Sequence, residues 1–98
     1  ITLQVEIHNV LYIPNIFSPN DDGENDVLYV RGMGFKTLHF LVFDRWGELV
    51  FETENQSVGW DGTFRGKKLD PAVFVYYVVV EFYDGKEVKE HGNVTLVK

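Results

Sequence analysis

The feature that most constrains the fold is the run VFVYYVVVEF, residues 73–82. Aromatic and β-branched residues fill it, which favours a strand over a helix because such side chains pack well on a pleated sheet. Asp84-Gly85 follows and is the strongest short hairpin signal in the chain. The chain then returns through residues 86–97, where apolar side chains share one face. The sequence therefore predicts a long β-hairpin near the C-terminus.

Further strands are predicted upstream, and no segment shows a sustained helical period. They cover residues 1–7, 9–13, 27–30, 38–43 and 49–51. About seven strands separated by turns in about 100 residues predict an all-β fold, an immunoglobulin-like antiparallel β-sandwich, with a small barrel as the alternative. The immunoglobulin disulfide is absent because the chain has no cysteine.

Size and charge exclude several classes of protein. The 98 residues, 45% of them hydrophobic, correspond to one domain with a single core, residues 1–98. A formal net charge of −6 disfavours nucleic-acid binding, and no apolar run is long enough to span a membrane. Because the chain opens on ITLQVEI, we expect a piece of a longer protein. Residues 1–9 would then be an extra strand or the end of a preceding domain.

An acidic loop follows the segment IPNIFSP. Its oxygen-bearing residues fall at alternate positions around Gly23, and they are Asn20, Asp22, Glu24 and Asp26. Calcium loops supply ligands from every second residue with a glycine at the bend, so a Ca²⁺ site is one interpretation. The other is a turn whose Asn, Asp and Gly residues satisfy their own backbone. No other cofactor is indicated, and the sequence leaves both interpretations open.

Catalytic patterns are missing. The three histidines, His8, His39 and His91, do not fall at a metal-ligand spacing, and His39 is expected to be an ordinary strand residue. Neither Ser18 nor Ser57 lies in a nucleophile elbow or beside a base in the sequence. We therefore expect no enzymatic activity.

The two tryptophans lie in predicted turns. Exposed aromatic residues on a sandwich can stack on sugars, so an adhesive or carbohydrate-binding module is an alternative function. The competing expectation is that Trp46 and Trp60 anchor their turns to the core. Arg45 is expected to stack on a tryptophan or to pair with an aspartate such as Asp61. The only local group of positive residues is predicted to be a solvated loop or, alternatively, a docking patch for an acidic partner. It comprises Arg65, Lys67 and Lys68.

Five motifs follow one another in order along the chain. They are IPNIFSPNDDGEND at 13–26, VFDRWGELVFE at 42–52, GWDGTFRGKKLDPAVFVYYV at 59–78, YDGKE at 83–87 and HGNVTLVK at 91–98. Together they resemble the gliding-motility-associated C-terminal domain of Bacteroidota, also called the type B sorting domain of type IX secretion. The resemblance covers about residues 10–98 and includes the motif residues Arg45, Trp46, Gly47, Trp60, Asp61 and Gly62.

The resemblance implies a function that no single residue's chemistry reveals. Such domains sit at the C-terminus of adhesins and exported enzymes and are recognised by the secretion machinery and a dedicated outer-membrane partner protein. They carry the N-terminal cargo through the periplasm and the outer membrane to the cell surface or the medium. We accordingly expect a sorting signal that is recognised as a folded domain.

The last strand is a candidate recognition edge, since an unpaired strand edge can pair with another chain. Docking by β-strand addition is predicted for the C-terminal residues of this strand. They are Gly92, Asn93, Val94, Thr95, Leu96, Val97 and Lys98.

Overall fold

The computed structural model describes residues 10–20, 23 and 26–98. Its regular elements within these residues are all strands: β1 (Val10–Tyr12), β2 (Ile16–Phe17), β3 (Arg31–Met33), β4 (Phe35–Phe43), β5 (Leu49–Thr53), β6 (Thr63–Phe64), β7 (Lys67–Lys68), β8 (Ala72–Phe82) and β9 (Glu87–Leu96). The all-β prediction is confirmed. Within the described ranges, the structure contains no helix that could cross a membrane.

One five-stranded sheet dominates the fold, with strand order β2-β9-β8-β4-β5. Its strands pair antiparallel except at β2, which runs parallel to β9. Two short two-stranded sheets, β1-β3 and β6-β7, accompany it. The predicted C-terminal hairpin is present as β8 and β9, and Gly85 (φ 90°) closes its turn.

The core lies between one face of the large sheet and the connecting segments. Alternate residues of β8 and β4 supply the sheet side, including Phe74, Val78 and Phe40. Phe17 comes from β2, the edge strand of the same sheet, and Trp60 packs against it from the connection between β5 and β6. Thus short strands and connections form the second layer of the sandwich around the inner face of the sheet.

Several predicted strands change length in the structure. The strand expected at residues 27–30 is reduced to one isolated bridge, in which Leu28 and Trp60 exchange two backbone hydrogen bonds of 2.8 and 2.9 Å. The strand expected at 38–43 begins earlier, at Phe35. The strand expected over residues 1–7 lies outside the described residues. These lengths depend on which partner each backbone reaches, and local sequence carries little of that information.

Candidate functional site

Strand β9 contains most of the residues predicted for partner recognition. Val94 and Leu96 point into the core and are almost fully buried, at 0% and 1% exposure. Asn93 and Lys98 are exposed, and Thr95 is half-buried. In the folded domain, a partner can therefore contact Asn93 and Lys98 directly, whereas Val94 and Leu96 stabilise the strand from within.

The outer side of β9 is hydrogen-bonded over part of its length. The N–H of Thr95 donates to the carbonyl of Asn15 at 2.9 Å, and the N–H of Val97 donates to the carbonyl of Phe17 at 3.0 Å. These bonds join the end of β9 to β2. Among the described strands none other than β2 and β8 pairs with β9, so the predicted edge is open only upstream of Thr95.

Gly92 allows an aromatic ring to lie across β9. It stands opposite Tyr76 of β8, and a Cβ at Gly92 would lie 2.9 Å from the Tyr76 hydroxyl and 3.0 Å from two ring carbons. The absence of a side chain at Gly92 therefore lets the phenol cover the strand. Partial burial, and secondarily the nearby Glu90 carboxylate, raise the pKa of the Tyr76 hydroxyl above its ordinary value.

The outer face of the large sheet carries an exposed apolar patch around Val73 and Tyr77. Val73 and Tyr77 are each 49% exposed there. The Tyr77 ring packs edge-on against Phe43 and His91, with ring centres 5.7 and 5.8 Å apart. Two open grooves of about 440 and 430 Å³ lie on either side of Tyr77. The sequence signal for this surface is the run 73–82, in which Glu81 is the one charged residue among β-branched and aromatic side chains.

The turn after β4 exposes its tryptophan. The Asp44 carboxylate accepts the N–H groups of Trp46 and Glu48, each at 2.9 Å, and Gly47 (φ 84°) completes the turn. Trp46 is 81% exposed, so the prediction that it anchors this turn to the core is wrong. The local hydrogen bonds hold the turn without it. The predicted stacking of Arg45 is confirmed, with its guanidinium 5.2 Å from the Trp46 ring centre.

Trp60 is the opposite case. It is 1% exposed, and its indole N–H donates to the carbonyl of Thr63 at 2.9 Å. Its ring contacts Phe17 and Phe74, with centres 5.2 and 5.0 Å apart. The anchoring role predicted for Trp60 is confirmed. Asp61 accepts the N–H and hydroxyl of Thr63, which caps the same turn.

Gly62 closes this turn against the C-terminal strand. Its φ is 83°, and a Cβ there would lie 3.0 Å from Leu96 and 3.1 Å from Pro19. The residues Trp60-Asp61-Gly62 therefore connect the core, the start of the acidic loop and β9, which gives this motif a structural role.

The acidic loop uses one carboxylate for its own backbone. The two Asp26 oxygens accept the N–H of Gly23 at 2.8 Å and the N–H of Asn20 at 3.2 Å. These bonds are typical of a self-satisfied turn. Asp22 and Glu24, the other two residues of the predicted calcium site, lie outside the described residues. Within residues 10–20, 23 and 26–98 no three acidic or histidine side chains come together to hold a metal ion. The calcium site stays a prediction.

The described histidines lie on the outer sheet face. His39 pairs with the carboxylate of Glu52 on the adjacent strand, and His91 packs on Tyr77. Both imidazole rings thus contact residues on neighbouring strands, as is common for cross-strand pairs in a sheet.

The basic residues lie on the hairpin formed by β6 and β7. Arg65 stacks its guanidinium 4.8 Å from the centre of the Phe64 ring, and Lys67 and Lys68 are exposed. The ion pairs found among the described residues involve none of these three. The prediction of a solvated basic loop agrees with this exposure.

Comparisons with known proteins identify the fold and the family of the chain. Its fold is similar to "The crystal structure of CopC from Methylosinus trichosporium OB3b", with a TM-score of 0.60 over 91% of this chain and 93% of that chain. The two sequences are 17% identical, so the likeness concerns the fold alone. No curated protein matches the sequence. Residues 11–96 match the family of the CHU_C type IX secretion signal domain, a family of secretion signals and not of enzymes. Since this match spans nearly the whole chain, the chain belongs to the CHU_C type IX secretion signal domain family.

Proposed function

We propose that this domain is a C-terminal sorting signal, and that the type IX secretion machinery recognises it as a folded body. It would direct an attached N-terminal adhesin or enzyme to the cell surface or the medium, with a dedicated outer-membrane protein as its partner. The observation that carries the proposal is the extent of the family match, residues 11–96, which takes in strands from both layers of the sandwich.

Burial of the C-terminal motif supports recognition in the folded state. Val94 and Leu96 contact the core, and β9 is hydrogen-bonded to β8 along its whole length. Machinery that read these residues as a linear tail would first have to remove β9 from the sheet and expose the core to water. A partner that reads the folded surface avoids this cost.

Export of a reporter fused ahead of Ile1 tests the proposal. The host is a Bacteroidota strain with a working type IX system, supplied with the native outer-membrane partner and compared with a secretion-deficient mutant. Reporter in the medium or on the surface of the competent strain alone is the expected result. Retention of a folded fusion in both strains would refute the proposal that these 98 residues are sufficient as a sorting signal.

Two variants in the last residues separate folded from linear recognition. Leu96→Asp places a charge in the core and should unfold the domain, because an unpaired buried carboxylate is strongly unfavourable. Lys98→Gln changes the net charge in the same direction and by the same amount, one unit, at an exposed position and should leave the fold intact. We expect export of the Lys98 variant and no export of the Leu96 variant. Export of an unfolded Leu96 variant would show that the signal is read as a linear sequence.

A second candidate function, adhesion or carbohydrate binding, is favoured by one observation. Trp46 presents its ring to solvent at 81% exposure, beside Arg45. Since Trp60 is buried, a change in tryptophan fluorescence on adding polysaccharide would report on Trp46. The control is Trp46→Phe, which should abolish the response. An unchanged wild-type spectrum over a titration of each polysaccharide would count against this function.

A further inference from the structure

The direction of each backbone group on β9 follows from the hydrogen bonds at its two ends. At one end, the Phe82 N–H donates to the carbonyl of Lys86, so the backbone groups of Lys86 point toward β8. At the other end, Thr95 N–H faces β2. Successive residues of a strand turn their backbone groups to opposite sides, and the β8–β9 register is unbroken from Glu81↔Glu87 to Ala72↔Leu96. Even-numbered residues of β9 therefore bond to β8.

The odd-numbered residues of β9 turn their N–H and C=O groups away from β8. At Thr95 these groups meet β2. At His91 and Asn93 no strand of the described ranges receives them. Within the described residues, the chain does not continue β2 along this edge, because β1, which precedes β2, pairs with β3. In this part of the chain, a slot for one more strand is left beside His91–Val94, directly next to β2.

This part of the edge lacks the features that usually protect sheet edges. Exposed edges commonly carry proline, bulges or charged side chains. Residues 91–94, HGNV, contain no proline and no Lys, Arg, Asp or Glu, and their pairing with β8 has no bulge. The opposite edge strand, β5, is five residues long and its pairing with β4 is interrupted by a register shift. The two edges thus differ, and among the described residues the stretch 91–94 of β9 is the one left without these protecting features.

Aromatic side chains flank the slot on both faces of the sheet. The Tyr76 ring lies over Gly92 on the core side. The His91 and Tyr77 rings pack together on the outer side, beside the groove of about 440 Å³. A strand added at this edge would hydrogen-bond in the plane of the sheet and place alternate side chains next to these rings.

We infer that a polypeptide of the export machinery binds here as an added β-strand, hydrogen-bonded to His91 and Asn93. The inference rests on the proposed sorting function. It narrows the recognition edge to residues upstream of the β2 contact. Backbone donors and acceptors that alternate along an edge are matched by another extended chain, so the occupant is an extended segment of a partner protein.

Amide hydrogen exchange on the isolated 98-residue domain tests whether the slot is open. We expect the N–H groups of His91 and Asn93 to exchange far faster than those of Glu90 and Val94, which bond to β8. Slow exchange at His91 and Asn93 in the monomer would mean that residues 1–9 of the same chain fill the slot. Protection that rises with protein concentration would mean that a second copy fills it. Either result would overturn the inference.

Proline substitution then tests binding in the export assay. His91→Pro removes an N–H that faces away from β8, so the internal ladder keeps its bonds and edge strands tolerate the change. His91→Ala removes the same imidazole and keeps the N–H. Asn93→Pro and Asn93→Ala form a second matched pair. Each proline variant is compared with the alanine variant at the same position, so that the backbone N–H is tested apart from the side chain. We expect the proline variants to be exported at least about tenfold less than their alanine counterparts while remaining folded by circular dichroism.

The outcomes separate this inference from the proposed function. If the unmodified domain fails to export its reporter, the proposed function is wrong. If it exports and the folded proline variants export equally, the strand-addition inference is wrong. Should both proline variants unfold, a photo-crosslinking amino acid at Asn93 keeps the inference testable. A crosslink to an extended segment of an outer-membrane protein supports the inference, and crosslinks confined to a second copy or to residues 1–9 refute it.

Discussion

Replacing the buried tryptophan tests how the core is held together. Trp60→Phe keeps an aromatic ring against Phe17 and Phe74 but removes the indole N–H that donates to Thr63 at 2.9 Å. The matched control is Trp46→Phe, the same chemical change at a side chain that is 81% exposed. The chain has two tryptophans, so the pair of variants compares a buried site with an exposed one.

The expected cost follows from the contacts at each site. Loss of the hydrogen bond to the Thr63 carbonyl should lower the free energy of unfolding by about 1 kcal/mol. Removing about three buried heavy atoms and leaving part of their space empty should add about 2 kcal/mol. The total of about 3 kcal/mol corresponds to a fall in melting temperature of roughly 12–24 °C for a domain of this size. Trp46→Phe should change the free energy of unfolding by less than about 0.5 kcal/mol.

Urea unfolding followed by far-ultraviolet circular dichroism measures both variants. This signal reports on the sheet and does not depend on which tryptophan remains. Equal slopes of the free energy against urea would show that the variants unfold to a similar extent. The reasoning is refuted if Trp60→Phe stays within about 0.5 kcal/mol of the unmodified domain, or if Trp46→Phe costs more than Trp60→Phe.

Further predictions concern glycine positions, pH and the acidic loop. Gly62 and Gly47 have nearly equal φ, 83° and 84°, but of the two only Gly62 would bring an added methyl group against neighbouring atoms. Gly62→Ala should therefore lower the melting temperature more than Gly47→Ala. Equal falls in melting temperature for the two variants would contradict this prediction. Gly92→Ala should destabilise the domain by about 1–3 kcal/mol in urea unfolding, because the added methyl meets the Tyr76 ring, and clearly less in a Tyr76→Ala background. The raised pKa of Tyr76 stabilises the fold fully below about pH 10, and this contribution is lost as pH rises through the folded-state pKa. Tyr76→Phe should therefore reduce the fall in melting temperature at alkaline pH. An unchanged dependence of melting temperature on pH would count against Tyr76 as the group responsible. Asp26→Ala should cost about 1–3 kcal/mol by removing two loop hydrogen bonds. A rise in melting temperature with calcium in the unmodified domain, absent in Asp26→Ala, would favour the calcium interpretation of the loop over the self-satisfied turn.

Local chemistry was enough to predict the hairpin of β8 and β9. A long run of β-branched and aromatic residues, a turn at Asp84-Gly85 and a returning strand are encoded within about 25 consecutive residues, where neighbours in sequence become neighbours in the sheet. The ordered motifs likewise indicated the family, which the match over residues 11–96 confirms.

The two tryptophans mark the limit of such reasoning. Both stand in short turns beside glycine and aspartate, yet one is exposed and the other is almost completely buried. Trp60 is buried because Leu28, 32 residues earlier, pairs with its backbone and because β2 brings Phe17 against its ring. Trp46 is instead 81% exposed, and in the described part of the chain its ring stacks with the adjacent Arg45.

For the candidate recognition edge, too, the sequence determined one part of the structure and the tertiary packing another. By itself, the sequence determined that the chain folds as strands, that its last strand closes a hairpin, and that its motifs are those of a secretion signal domain. Only the tertiary structure decided that β2 pairs with Thr95 and Val97, and that the backbone N–H and C=O groups of His91 and Asn93 point away from β8 without meeting another described strand. The physical reason is that the pairing joins residues about 80 positions apart, and hydrogen bonds between distant strands depend on the packing of the whole domain.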